Sequence, residues 1–193
     1  MLSVIGREIT ESLRLNEVVG CVYVRVRDLV SADAFLIGIY RRDTEMIEIS
    51  MAMENDTALP PFVWRMDETD RLAVWCVRYA REVHTRCAAD VLRYVGAKLA
   101  PLEKTTSMES IVYLPLQVGG QVVGCMSVQR EAAGGFDDVQ MDMLRTIAAY
   151  AAVAIEHALA HEAAELASLT DPLTRLPNRR AFIETARYQA SVA

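Results

Sequence analysis

The period of the apolar positions changes along this chain, and each change marks an element. Ile5, Ile9 and Leu13 recur every four residues, and Val18, Val22, Val26 and Leu29 continue an apolar face. That spacing predicts helix through the first thirty residues, with a break near Asn16. Ala34 to Tyr40 is short, apolar and β-prone, the pattern of a strand buried on both faces. Arg41-Arg42-Asp43-Thr44 is a polar turn. After it, Ile47, Ile49, Met51 and Met53 alternate with Glu48, Ser50 and Ala52. That two-residue period predicts a second strand, paired antiparallel with the first. Pro60-Pro61 closes the region. Leu72, Trp75, Cys76 and Tyr79 share one face of a short helix that starts near Asp67 or Thr69. Glu82 to Ser107 carries little pattern beyond a short strand near Val83 and a helical turn at Val91 to Tyr94.

The pattern then sharpens. Ile111 to Leu116 and Gln121 to Gln129 read as strands joined by Gln117-Val118-Gly119-Gly120. Gly119-Gly120 supplies the positive φ that a tight hairpin needs. Asp137 precedes a helix, with Gln140 at capping-box spacing. Met141, Leu144, Ala148, Ala151 and Ile155 form a stripe that continues through Leu159, Glu162, Leu166 and Leu169. Neither proline nor glycine interrupts before Pro172, so the helix is about 48 Å long at 1.5 Å per residue. Such a rod outruns its domain, and its C-terminal half is expected to project. A projecting apolar seam needs a partner. The simplest is the same helix of a second copy, which predicts a homodimer with Ile155, Leu159, Glu162, Leu166 and Leu169 in the seam.

Composition narrows the class. The 193 residues are 52% hydrophobic, enough for one core plus an extension. The net charge of −6 with scattered basic residues argues against nucleic-acid binding. No apolar run approaches a membrane span and no signal block opens the chain, so a cytoplasmic protein off the membrane is expected. Cys21, Cys76, Cys87 and Cys125 form no C-x-x-C pair, which points to reduced thiols.

Two resemblances follow from quoted residues. Ile111-Val112-Tyr113-Leu114-Pro115-Leu116, Gly119-Gly120-Gln121-Val122-Val123-Gly124 and Met126-Ser127-Val128 resemble the paired strands of a GAF domain. Ile9 to Leu13 with Asn16 to Val19 is similar to that family's first helix. Phe136, Leu144, Ile147-Ala148 and Ala154-Ile155 are similar to its closing helix. The Leu-Pro-Leu hairpin and long first helix favour GAF over PAS. The resemblance implies an α+β fold, a central antiparallel sheet with the N- and C-terminal helices on one face. Residues 171–182 resemble the opening of the GGDEF, or diguanylate cyclase, family, through Asp171, Leu173, Thr174, Leu176, Asn178, Arg179, Arg180 and Phe182. In that family Asp171 is expected to clasp Arg179 or Arg180, and the catalytic motif lies further on, outside this chain. Gly134-Gly135-Phe136-Asp137-Asp138 precedes a helix cap and lies upstream of that opening, so it is not the motif. The expected organisation is a GAF domain at 1–155, a helical linker at 156–170 and a truncated GGDEF start at 171–193.

Candidate chemistry is sparse. Trp75, Tyr79, Tyr94, Tyr113 and Cys125 either line a pocket for an unknown small molecule or fill the core. GAF domains that bind cyclic nucleotides often carry Asn-Lys-x-Phe-x-x-x-Asp-Glu. Here Phe136 is followed by Gln140 and Met141, which argues against such a ligand. His157 and His161 share a helical face near Glu162 and Glu165, but no third strong metal ligand is fixed. Neither haem nor bilin is selected by His84, Cys76, Cys87 or Cys125. A thiol-dependent reductase would need a cysteine cluster, and only Cys76 and Cys87 lie loosely near. No catalytic residues are expected in this chain. The expectation is a sensor that controls a diguanylate cyclase, with a ligand-free dimerisation module as the alternative.

Overall fold

A computed structural model describes residues 14–96 and 108–169, the last four of these as backbone only. The elements in order are α1 (Leu15–Leu29), β1 (Ala34–Arg41), β2 (Met46–Glu54), β3 (Thr57–Ala58), β4 (Val63–Arg65), α2 (Leu72–Tyr79), β5 (Val83–His84), a 3-10 turn (Ala88–Val91), α3 (Leu92–Val95), β6 (Ser110–Val118), β7 (Gln121–Arg130) and α4 (Asp138–Leu169). The strands form one antiparallel sheet in the order β3-β2-β1-β7-β6-β5, with β4 also on β2. This is the expected α+β architecture.

The sheet separates two cores. On one face, Phe35, Ile37 and Ile39 of β1 meet Val18, Val22 and Val26 of α1 and Leu144, Ile147, Ala151 and Ile155 of α4. The N-terminal and C-terminal helices therefore share that face. On the other, Leu36, Ile47, Ile49, Tyr113 and Cys125 meet Leu72, Ala73, Cys76 and Val77 of α2. β1 alternates between two apolar layers, which is why its sequence reads as a continuous apolar run.

Local signals behave as expected where they are strongest. Gly119 and Gly120 have φ of 56° and 80°, the two successive positive values of a type I′ hairpin. Gln140 N–H donates to Asp137 Oδ1 at 2.8 Å, and Asp137 N–H donates to Gln140 Oε1 at 3.2 Å, closing the capping box. α4 runs 32 residues without interruption. After Ala158 none of its described side chains is buried, so its last turns leave the core.

Several expectations are corrected. α1 begins at Leu15 after an extended Arg14, within two residues of the break expected near Asn16, and residues 1–13 lie outside the described residues. Ile47, Ile49, Met51 and Met53 do not share a face. The register shift opposite Ile37 and Gly38 makes Ser50 a bulge, because Ile37 pairs with Met51 and Gly38 with Ile49. Ile47 and Ile49 thus join α2, while Met51 and Met53 turn towards α1 and α4. α2 begins at Leu72 rather than near Asp67 or Thr69, and Tyr79 is 55% exposed. Ile155 is fully buried in its own chain's core, with no surface to offer a dimer seam. Leu159 and Glu162 are half-buried, and the side chains of Leu166 and Leu169 lie outside the described set. Asp138–Glu165 is long and apolar enough to cross a membrane by length and composition, contrary to the sequence reading. Its buried side chains, from Met141 to Ala158, already pack under α1 and on the sheet.

Candidate functional site

The α2 side of the sheet brings polar groups together in register. One row across the strands runs Ala52, Leu36, Ser127, Tyr113 and Val83. The next runs Glu54, Ala34, Gln129 and Ile111. Ser127 and Gln129 are buried polar side chains on a largely apolar face. Gln129 Nε2 donates to Ser127 Oγ at 3.0 Å, and the Tyr113 hydroxyl lies beside Ser127. Burial lifts the phenol of Tyr113 well above its ordinary range, so it remains a neutral hydroxyl. Glu54 Oε1 is shielded from solvent and has no hydrogen-bond partner. Ala34, its cross-strand partner, and Ala52, two residues back, are small.

α2 and α3 supply an aromatic wall. Trp75 lies edge-on to Tyr94 at 4.9 Å and packs on Tyr79 at 5.1 Å. His84 N–H donates to the Tyr94 hydroxyl at 3.2 Å, and that hydroxyl donates to His84 O at 3.3 Å. The five candidate pocket residues therefore occupy three places. Tyr113 and Cys125 are buried in the core under α2, Trp75 and Tyr94 pack together at its edge, and Tyr79 is exposed.

The thiols are chemically quiet. Burial pushes Cys125 up to about 12, and it raises Cys76 well above the ordinary thiol value. Neither is a thiolate near neutral pH, so neither is a ready nucleophile. None of the four cysteines forms a disulfide. Among the described residues no group of three His, Cys, Asp or Glu side chains is placed to hold a metal ion. His161 instead faces Glu165 at 3.7 Å, one turn along α4.

A cleft elsewhere escaped the sequence reading. An open cleft of about 590 Å³ lies at the hairpin end of the sheet, lined by Tyr40, Arg42, Met66, Val77, Arg78 and Val122 among others. Arg78 Nη2 donates to Met66 O. Arg65 bonds Asp67 at 3.1 Å and holds that carboxyl below its usual range. Three separate turns and the end of α2 build this cleft, and no local pattern announces such a meeting. Glu54 and His84 were also missed as members of the site, for the same reason: each looks like an ordinary surface residue until its neighbours are known.

Residues 12–156 match the GAF domain family. The chain belongs to that family. The fold agrees with solved GAF structures at low identity. The GAF domain of a phosphoenolpyruvate-protein phosphotransferase from Acinetobacter is 20% identical with a TM-score of 0.67, covering 82% of this chain and 92% of that one. The corresponding domain from Coxiella burnetii is 18% identical with a TM-score of 0.67, covering 84% and 94%. A free methionine-R-sulfoxide reductase from Neisseria meningitidis, solved with its substrate, is 11% identical with a TM-score of 0.63, covering 82% and 88%. No curated protein sequence matches the chain. The matched GAF region stops at residue 156, and the GGDEF-like Asp171, Leu173, Thr174, Asn178, Arg179 and Arg180 lie outside the described residues.

Proposed function

We propose that this GAF domain is a cytoplasmic sensor that regulates a C-terminal diguanylate cyclase through the geometry of paired α4 helices. The observation that carries the reading is α4 itself. It starts inside the domain core, leaves it after Leu159 and continues as one helix to Leu169. Two residues later the GGDEF-like sequence begins at Asp171. A rigid rod from a sensor core to an output domain transmits rotation, since one residue of helix turns its face by about 100°. The dimer seam is assigned to Leu159, Glu162, Leu166 and Leu169. The half-buried Glu162 weakens one register by like-charge repulsion, which keeps two arrangements close in energy.

The proposed ligand is a small molecule that occupies the sheet face at Glu54, Ala34 and Ala52, between the Gln129 floor and the Trp75–Tyr94 wall. The test is a pair of insertions after Ala164 in the full-length protein. Seven residues preserve the helical phase of the seam, and four shift it. Cyclic di-GMP synthesis should survive the first and change with the second. Equal output from both insertions, or none from the parent, would sink the proposal.

A ligand-free dimerisation module is the second reading. It draws on the complete burial of Cys76, Val83 and Cys125, which fill much of the space under α2. Native mass spectrometry separates the two. A bound mass that is lost on denaturation supports the sensor, and a bare dimer supports the platform.

A further inference from the structure

We propose that His84 couples the aromatic wall of the sheet-face site to the root of α4: Tyr94 holds its peptide, and its ring holds the amide of Phe136. The inference rests on the sensor reading in one respect, that a ligand acts at the Trp75–Tyr94 wall.

β5 is an edge strand of two residues, paired only through Val83 and His84 with β6. An edge leaves peptide groups without ladder partners. Tyr94 supplies both, accepting from His84 N–H at 3.2 Å and donating to His84 O at 3.3 Å. The same tyrosine ring packs edge-on against Trp75 at 4.9 Å. The His84 backbone is therefore held by β6 on one side and by an aromatic side chain of the wall on the other.

The imidazole points the other way. Phe136 N–H donates to His84 Nε2 at 3.4 Å, a contact across 52 residues. A Cβ on Gly135 would come within 3.1 Å of the same nitrogen, so glycine lets the loop approach the ring. Phe136 is buried in the α1–α4 core, and the next residue, Asp137, caps α4. Only a neutral imidazole can accept at Nε2. Glu82 and Arg86 face the ring from its own segment, and Arg145 and Asp138 face it from α4. Arg145 also donates to Glu82 from Nε at 2.9 Å and from Nη2 at 2.7 Å. A shift of Tyr94 thus moves the acceptor on which the α4 entry loop rests. A ligand would act by unequal affinity for the held and released positions of that wall.

Amide exchange of the full chain tests the link without a ligand. Tyr94→Phe keeps the ring and its packing on Trp75 but removes the hydroxyl that holds the His84 peptide. His84→Leu removes the acceptor. Phe136 amide exchange should rise about tenfold in His84→Leu and by at least about threefold in Tyr94→Phe, as a local opening does. Val112 and Met126 amides, in the central strands, should keep their protection and so exclude global loosening. Unchanged Phe136 exchange in Tyr94→Phe overturns the coupling, whatever His84→Leu does. Equal acceleration at Val112 and Met126 overturns it too, because the effect is then global. The insertion series on cyclase output tests the sensor reading separately, and its failure leaves this amide result standing.

Discussion

Gly124 stands against the carbonyl of Gly38 so closely that a Cβ on Gly124 would lie 2.1 Å from that oxygen. The two strands meet here in register, with Ile39 opposite Gly124 and Gly38 opposite Cys125. A Cβ on Gly38 would in turn lie 2.6 Å from Ile47 Cγ2 and 3.0 Å from Ile49 Cδ1. The two contacts differ in kind. A backbone oxygen yields only if a strand moves, whereas side chains can repack.

Gly124→Ala should therefore cost at least about 3 kcal/mol, and Gly38→Ala about 1–3 kcal/mol. Urea unfolding of the two variants gives the comparison. A Gly124→Ala protein as stable as wild type would contradict the close approach of β1 and β7.

The capping box predicts a smaller effect. Asp137→Ala removes the acceptor for Gln140 N–H and should cost about 1 kcal/mol. Asp137→Asn keeps an acceptor and should recover most of it. Thermal melts of the three proteins decide the matter, since only the cap distinguishes them.

Acid should loosen the fold through His84. Its burial lowers its pKa below the ordinary 6.5, with Arg86 and Arg145 adding to the shift and Glu82 and Asp138 opposing it. The unfolded chain then binds more protons at this site than the folded one below about pH 6.5. The stability from a neutral His84 is present above that pH and falls as pH drops through it. Urea midpoints at pH 7.5 and 5.5 should separate more for wild type than for His84→Gln. Equal separation would show that another group carries the acid sensitivity.

Glu82 and Arg145 join the β5 segment to α4 through two hydrogen bonds, but their side chains are 41% and 46% exposed. Solvent screens such a pair, so a double-mutant cycle should return a coupling of about 0.2–1 kcal/mol. Raising salt should shrink it further. Coupling that is insensitive to salt would mean the pair is shielded by a neighbour.

Thiol labelling reads the core directly. Cys76 and Cys125 are buried with raised pKa values, while Cys21 and Cys87 are half-buried. A disulfide reagent at pH 8 should reach Cys21 and Cys87 in the native protein, and Cys76 and Cys125 only on unfolding. Fast reaction at Cys76 would reopen the case for thiol chemistry.

Sequence alone determined the elements whose causes are local. The Gly119-Gly120 turn, the Asp137–Gln140 box and the 32-residue α4 each rest on residues within a few positions of one another. Propensity, capping and period act over that range. The strand pair around Leu114-Pro115-Leu116 was legible for the same reason, and with it the GAF fold. Tertiary structure decided which side each residue faces and what it meets. The bulge at Ser50 sends Ile47 and Met51 to opposite cores although their spacing is that of one face. A shift of one residue exchanges the faces of a strand, and nothing in the alternation records where the shift falls. Ile155 looked free for a partner until α1 and the sheet covered it. Glu54, His84 and Phe136 acquire roles only from neighbours distant in sequence. Phe136 meets His84 across 52 residues, and Glu82 meets Arg145 across 63. Such meetings are made by packing, which brings chain segments together without leaving a mark on either one.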